Sequence, residues 1–325
     1  MKCFIISPMG QPGSPLRDHA DEVFDTIIRR ALLFEDIEGV RADHVTEVGS
    51  ILYDAILTSD FCVAVLHGFN PNVFYEIAVA HSAGIPVIML LEEGIDLPFD
   101  LKDERAFYYD LNMLPLTGPS CGRELLQAID SVRKLQGKRE VPFGANLAPL
   151  SFGSNAPSPV VAGDQGVAVK CFIISPIGQP KSEVRGHADR VLRIIDGALH
   201  GAHIEWLRAD NVADVGRITR QMYDAILASD FCIAVLHGFN PNVFYEIAVA
   251  HSAGIPVIML LEEGIDLPFG LKDERVFYDS YYRKTGESAR KLLQAIDSVR
   301  KLQGKREVPF GANLIPLRFK SNAPS

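Results

Sequence analysis

The chain has 325 residues, of which 47% are hydrophobic and 22% charged, and its formal charge is −9 at pH 7. The length suffices for two domains with separate cores. The acidic balance, without a cluster of lysine and arginine, argues against a nucleic-acid polymer as partner. No stretch approaches the roughly 18 apolar residues of a membrane span. We therefore expect a cytoplasmic protein that does not bind membranes.

Apolar runs of strand length alternate with helical patterns along the first half of the chain. In chain order the predicted elements are strand Cys3–Ile6, helix Arg17–Leu33, strand Val40–Ala42, helix Glu47–Leu57, strand Phe61–Leu66, helix Pro71–Ser82, strand Pro86–Leu91, strand Ala106–Tyr109 and helix Arg123–Leu135. This βα alternation, with short turns and no GxGxxG fingerprint, predicts a flavodoxin-like doubly wound α/β domain. Its five-stranded sheet should be mostly parallel.

The second half of the chain repeats the first. The segment KCFIISP at Lys2–Pro8 returns at Lys170–Pro176, and between Phe61 and Phe107 only three positions differ from the second copy. The first 60 positions differ far more often. We therefore predict two domains, residues 1–154 and 169–325, joined by a linker at 155–168 that is rich in proline, glycine and small residues. We expect the two domains to pack as a pseudo-twofold pair, with further homo-oligomers an open alternative.

The central stretch of each repeat runs from the third strand into a helix. Asn70 is a good N-cap, Pro71 suits the first helical position, and Glu76 then falls in the second helical turn. Ligands of open α/β sheets bind outside the carboxyl ends of the strands, which such a residue can reach. Glu76 and its counterpart Glu246 are therefore the candidate catalytic residues.

Polar groups at other turns are candidates for binding the substrate. Gly10, Ser14 and Arg17 follow the first strand in a loop suited to an anion such as a nucleotide phosphate, although an N-cap serine with a surface arginine explains them equally well. For Asp60, at the start of the third strand, a structural cap is at least as good an explanation. The full set of candidates is Gly10, Ser14, Arg17, Asp60, Asn70 and Asn72, with Gly178, Ser182, Arg185, Asp230, Asn240 and Asn242 in the second repeat.

Cysteines and histidines give no sign of a metal or a disulfide. Four of the five cysteines fall as matched pairs in predicted buried strands, and no CxxC spacing or His pair at helical spacing suggests a metal. His67 and His81 lack a carboxylate at catalytic spacing in the sequence, so we interpret them as structural. We predict reduced core cysteines and neither a metal nor a cofactor.

The segment SDFCVAVLHGFNPNVFYEIAVAHSAGIPVIMLL, with FIISPMG before it and LPFDLKDER after it, resembles the nucleoside 2-deoxyribosyltransferase-like superfamily, in its N-glycosidase and TIR-like branch. The resemblance covers nearly all of each repeat. It implies that Glu76 and Glu246 attack the anomeric carbon of a nucleoside or nucleotide, with NAD and deoxynucleotides as candidate substrates. The implied activity is hydrolysis or transfer at an N-glycosidic bond.

The sequence departs from that superfamily in two places. Asn70 and Asn240 stand where an acidic residue often precedes the nucleophile, and the third strand ends Ala-Val-Leu rather than Ala-Asp-Leu. A non-catalytic nucleotide-binding sensor or signalling module, for example in bacterial defence, is therefore the alternative function.

The repeats also differ in length before the third strand. The second repeat has three additional residues there, around Thr219, and in the resembling family this helix start helps to wall the ligand pocket. We therefore expect unequal sites, with Thr219 binding substrate and Glu246 in the more competent site.

Overall fold

A computed structural model of the protein describes residues 1–41, 50–98, 101–102, 104–112, 120–135, 169–179, 181–209, 218–268, 271, 276–279 and 285–302. The predicted linker at 155–168 lies outside these residues. The chain forms two compact units: the first comprises residues 1–153 with 239–248 and 267–272, and the second comprises the remainder. Within the described ranges, no helix combines the length and apolar character needed to cross a membrane.

The first sheet consists of strands β1 (Lys2–Ile6), β2 (Glu38–Arg41), β3 (Phe61–Val65), β4 (Val87–Glu92) and β5 (Ala106–Tyr109). The helices of that repeat are α1 (Pro15–Val23), α2 (Arg29–Phe34), α3 (Ser50–Leu57), α4 (Pro71–Ser82) and α5 (Ser120–Leu135), with a π-helical turn at Phe24–Ile28 and a 3-10 turn at His67–Phe69.

The second sheet consists of β6 (Lys170–Ile174), β7 (Glu205–Arg208), β8 (Phe231–Val235), β9 (Val257–Glu262) and β10 (Val276–Asp279). The accompanying helices are α6 (Glu183–Gly201), α7 (Ile218–Leu227), α8 (Pro241–Ser252) and α9 (Thr285–Leu302), with a 3-10 turn at His237–Phe239.

Both sheets have five strands in the same order, β2-β1-β3-β4-β5 and β7-β6-β8-β9-β10. Each strand pairing among the described residues is parallel. Strands buried on both faces need continuous apolar sequence, and every residue of β3 is buried. The predicted α/β class is confirmed, and the order is the one typical of flavodoxin. The domain boundaries and the pseudo-twofold packing stay predictions.

The direction in which the chain adds strands to the sheet reverses between β1 and β3. From β1 the chain moves outward to β2, whereas from β3 it moves outward to β4 and β5. Such a switch point leaves a crevice beyond the carboxyl ends of the two central strands, where ligands of open α/β sheets bind. The loop before α1 and the turn before α4 both start at this edge, so the fold places the candidate residues of both segments there.

The helix after the first strand differs between the repeats. Val23 corresponds to Val191 and Leu32 to Leu199, so the first repeat has one additional residue between them. The π-helical turn Phe24–Ile28 absorbs that residue, whereas α6 is uninterrupted. Leu32 therefore still packs in the first core, as Leu199 does in the second. The sequence predicted one continuous helix here.

Candidate functional site

Glu76 lies in α4, whose start is fixed by its own sequence. Pro71 occupies the first helical position, and the Asn70 side-chain oxygen accepts a hydrogen bond from the Asn72 amide at 3.0 Å. The same bond joins Asn240 and Asn242 at 3.0 Å. The structure therefore assigns Asn70 and Asn240 a capping role, which occupies the oxygen that a sugar hydroxyl would otherwise meet.

The backbone just before α4 is strained in both repeats. Gly68 has a φ of 65° and Phe69 a φ of 47°, and the corresponding angles are 65° at Gly238 and 48° at Phe239. A bulky residue at positive φ is costly and persists only where its surroundings hold it. Here the Phe69 ring packs edge-on against the Phe74 ring, with centroids 6.1 Å apart. The turn thereby sets the direction in which α4 leaves β3.

The Glu76 carboxyl is buried beside Cys62 of β3. Only 8% of Glu76 is exposed, and its Oε2 has no hydrogen-bond partner within the part of the chain that the structure describes. Burial raises its pKa from an ordinary 4.5 to about 8. Burial and, secondly, the charge of Glu76 raise the pKa of the Cys62 thiol. Glu76 is thus a largely protonated carboxyl at neutral pH. A carboxyl with so strongly perturbed a pKa is typical of functional sites.

Glu246 holds the matching position in α8. It is 4% exposed, so the second repeat buries its glutamate at least as deeply. The flanking Phe244 and Tyr245 are buried like Phe74 and Tyr75, as expected for core residues.

The loop after β1 closes tightly over the start of α1. A Cβ added to Gly10 would lie 2.5 Å from the Ser14 Oγ, and one added to Gly178 would lie 2.5 Å from the Ser182 Oγ. Ser14 caps the helix because its Oγ accepts a hydrogen bond from the Arg17 amide at 3.3 Å. The structure brings Gly10, Ser14 and Arg17 together, as it does Gly178, Ser182 and Arg185.

A network of charged side chains that the sequence analysis missed lies behind this loop. The Arg17 Nε donates to both oxygens of Asp21 at 2.8 and 2.9 Å. The Arg41 Nη1 lies 2.6 Å from the same carboxylate, and its Nε donates to the Ser7 Oγ at 3.1 Å. Although burial opposes it, these arginine hydrogen bonds hold the pKa of Asp21 below its usual value. A carboxylate thus balances two guanidinium groups at the carboxyl ends of β1 and β2.

The second repeat keeps this network. Arg185 and Arg208 each approach an oxygen of Asp189 at 3.2 Å. Arg208 is 5% exposed, as buried as Arg41.

Two other candidates stand apart from the glutamates. The Asp60 Oδ2 accepts a hydrogen bond from the Lys2 amide at 2.7 Å, and the Asp230 Oδ2 accepts one from the Lys170 amide at 2.8 Å. Both aspartates precede their strands, so they lie at the amino edge of each sheet, opposite the carboxyl edge. They tie the starts of neighbouring strands together.

The helix before the third strand is longer in the second repeat. α7 has ten residues and α3 has eight. The extension amounts to about 3 Å at the usual rise of 1.5 Å per residue. Thr219 lies in this extension, and its side chain is outside the described structure.

A histidine cluster also lies at the carboxyl edge, which corrects one interpretation. The His67 Nδ1 lies 2.8 Å from the Glu92 Oε2, so His67 does have a carboxylate partner. His19 stacks on His67 with ring centroids 3.6 Å apart. His187, His237 and Glu262 form the same cluster in the second repeat. The spacing in sequence hides these contacts because α1, the turn after β3 and the end of β4 meet only in the fold.

The comparisons with known proteins are few. No model of a known protein family and no curated protein matches the chain. Among solved structures, the CMP N-glycosidase BcmB of Clostridium botulinum is 20% identical, with 40% of this chain and 98% of that chain covered and a TM-score of 0.26. The ADP-heptose lipopolysaccharide heptosyltransferase II of E. coli is 12% identical, with 94% and 100% covered and a TM-score of 0.28. At these TM-scores neither likeness adds to the argument about function.

Proposed function

We propose that the protein cleaves or transfers the N-glycosidic bond of a nucleotide-type substrate, with Glu76 and Glu246 as nucleophiles. The observation that carries the proposal is the buried Glu76 carboxyl, whose pKa burial raises to about 8. A buried carboxyl oxygen that meets no hydrogen-bond donor among the described residues gains little from the fold itself, so the position of Glu76 favours a role toward a ligand. The residues that would hold the phosphate are Ser14 and Arg17, with Ser182 and Arg185.

The chemistry that these groups support has two steps. First, the ionised glutamate attacks the anomeric carbon, the bond from that carbon to the base nitrogen breaks, and the base leaves with the electron pair. A neutral purine or pyrimidine takes up a proton as it leaves, whereas nicotinamide leaves NAD already neutral. Second, water or an acceptor hydroxyl adds to the anomeric carbon and loses its proton, while the carboxylate is released. The anomeric carbon ends with its original configuration.

The raised pKa sets the pH dependence of the first step. Only the ionised carboxylate can attack, so kcat/KM should rise with pH until it passes the pKa of the free enzyme, about 8. A substrate with positive charge at the bond to be broken lowers that pKa on binding, because a nearby cation favours the charged carboxylate. NAD carries such a charge on its pyridinium ring, which makes it the preferred candidate over neutral nucleotides.

A non-catalytic nucleotide sensor is the second candidate, and one observation favours it. Asn70 and Asn240 use their side-chain oxygens as helix caps, and no acidic side chain stands in their place. A site that binds a nucleotide without cleaving it would need the pocket. It would not need an acidic residue in addition to the glutamate, at the position of Asn70 or Asn240.

Chromatography of the reaction products tests the proposal. The protein is incubated with NAD, deoxynucleoside monophosphates and deoxynucleosides, and free base is measured. The Glu76→Gln/Glu246→Gln double variant should lose activity by roughly a thousandfold or more, which is typical of enzymes whose nucleophile is removed. A Glu93→Gln/Glu263→Gln control changes exposed glutamates immediately after β4 and β9 and should stay active. Binding without base release would favour the sensor.

A further inference from the structure

Two imidazoles and a carboxylate converge at the carboxyl edge of each sheet. In the first repeat, the His67 Nδ1 lies 2.8 Å and the His19 Nε2 lies 3.7 Å from oxygens of Glu92. One ligand atom from each of the three side chains can be chosen so that all lie within 4.8 Å of one another. The side chains of His19, His67 and Glu92 are 16%, 26% and 37% exposed, so an ion can reach them from solvent.

The cluster is separate from the proposed nucleophile. His19 comes from α1, which packs on the face of the sheet formed by Cys3, Ile5 and Val63. Glu76 lies beside Cys62, and consecutive strand residues point to opposite faces. The mechanism proposed for Glu76 assigns no role to these histidines.

Two imidazoles with one carboxylate are a donor set that suits divalent transition metals, whereas magnesium and calcium prefer oxygen ligands. We propose that His19, His67 and Glu92 bind a divalent transition-metal ion such as Zn²⁺, and that His187, His237 and Glu262 form the second such site. Three protein ligands leave at least one coordination position open to water or to a ligand group.

The stacking of the two imidazole rings defines the movement that metal binding requires. The rings of His19 and His67 are 13° from parallel at a centroid distance of 3.6 Å, and those of His187 and His237 are 11° from parallel at 3.6 Å. A metal bonds to an imidazole nitrogen along its lone pair, in the plane of the ring. Two rings stacked face to face cannot both meet one ion in this way, so one ring must rotate out of the stack.

A fourth polar group lies beside the first site. The Tyr109 hydroxyl, at the end of β5, lies 2.8 Å from the His19 Nε2.

Equilibrium dialysis of the full-length, untagged, metal-stripped protein against Zn²⁺ tests the proposal, with metal content measured by mass spectrometry. The wild type should bind two ions per chain, His67→Ala one, and His67→Ala/His237→Ala none. Cobalt substitution should give visible absorption bands of nitrogen and oxygen ligation without a thiolate charge-transfer band. Zn²⁺ should raise the Tm of the wild type and leave that of the double variant unchanged, since only a ligand of the folded state stabilises it.

The control is His200→Ala, which removes an exposed histidine at the end of α6 and should keep both ions. If the alanine variants misfold by circular dichroism, Glu92→Gln/Glu262→Gln removes a ligand from each site with less change in shape and should weaken binding at both. Two ions retained in either double variant would overturn the proposal, as would a wild type that binds no more Zn²⁺ than the double variants.

Discussion

The two repeats differ most clearly in the helix that follows the first strand of each sheet. In the first repeat a π-helical turn interrupts it, whereas α6 runs without a break from Glu183 to Gly201. Yet an ion pair between groups on either side of the additional residue is kept: Arg41 pairs with Asp21 as Arg208 does with Asp189. The repeats therefore tolerate a change in length away from the carboxyl edge and preserve the polar groups beside it.

Deleting a residue from each helix should produce the largest difference between the repeats. Deleting Thr26 makes the first helix equivalent in length to α6, so the variant should fold with a Tm close to the wild type. Deleting Arg193 instead rotates Ile195, Ala198 and Leu199 away from the core by about 100°. The loss of their burial should cost roughly 5 kcal/mol. Calorimetry of the two variants measures the effect, and equal losses would contradict the role of the π turn.

Burial of Glu76 should make the first repeat less stable at high pH. Its pKa is raised from 4.5 to about 8, so the protonated form is favoured in the fold. That contribution is complete below pH 4.5 and is lost as the pH rises through about 8. At about 1.4 kcal/mol per pKa unit, the loss is on the order of 5 kcal/mol.

Thermal unfolding between pH 5 and pH 9 checks this prediction. The Tm of the wild type should fall over this range more steeply than that of Glu76→Gln, which has no proton to lose. Glu93→Gln, which changes an exposed carboxyl, should follow the wild type. A Glu76→Gln variant with the wild-type slope would show that Glu76 ionises normally in the fold.

Removing the carboxylate between the arginines should have a smaller effect. Asp21→Asn removes the carboxylate that lies 2.6 Å from Arg41, whose side chain is only 5% exposed. Breaking a buried pair costs 3–5 kcal/mol, but the Asp21 side chain is 39% exposed, so we expect about 2 kcal/mol. Asp189→Asn tests the second repeat. Asp25→Asn breaks a pair whose side chains are 58% and 61% exposed and should cost less than about 0.5 kcal/mol in the same denaturation experiment.

The smallest difference we expect is between the two proposed active sites. α7 is two residues longer than α3 at the end that approaches the crevice. Glu246→Gln should therefore reduce base release by more than Glu76→Gln does, and each single variant should retain the activity of its intact site. Equal losses in initial-rate assays would show that the longer helix does not distinguish the sites.

Much of the fold could be predicted because the local patterns are strong. Continuous apolar runs such as Phe61–Leu66 require strands buried on both faces, and the N-cap with Pro71 fixed the start of α4. The π turn escaped prediction because the additional residue shows only when the spacing from Val23 to Leu32 is compared with that from Val191 to Leu199.

The site was less predictable. The position of Glu76 follows from one strand, one turn and one helix, all adjacent in sequence. The Arg41–Asp21 network and the histidine cluster join segments far apart in the chain, and no spacing reveals such contacts. Comparison of the two repeats offers one sequence signal for these contacts, because His19 and Asp21 recur as His187 and Asp189. The positions beside them change: Asp18 becomes Gly186 and Glu22 becomes Arg190.

The central claim is that Glu76 and Glu246 form a bond to the sugar, and a single-turnover experiment tests it most directly. The protein is mixed with a substrate that releases base, quenched in acid, digested and analysed by mass spectrometry. We predict peptides containing Glu76 or Glu246 that are heavier by the transferred glycosyl group, and none in the Glu76→Gln/Glu246→Gln variant. Base release at the wild-type rate by that variant, with both peptides unmodified in the wild type, would contradict the account.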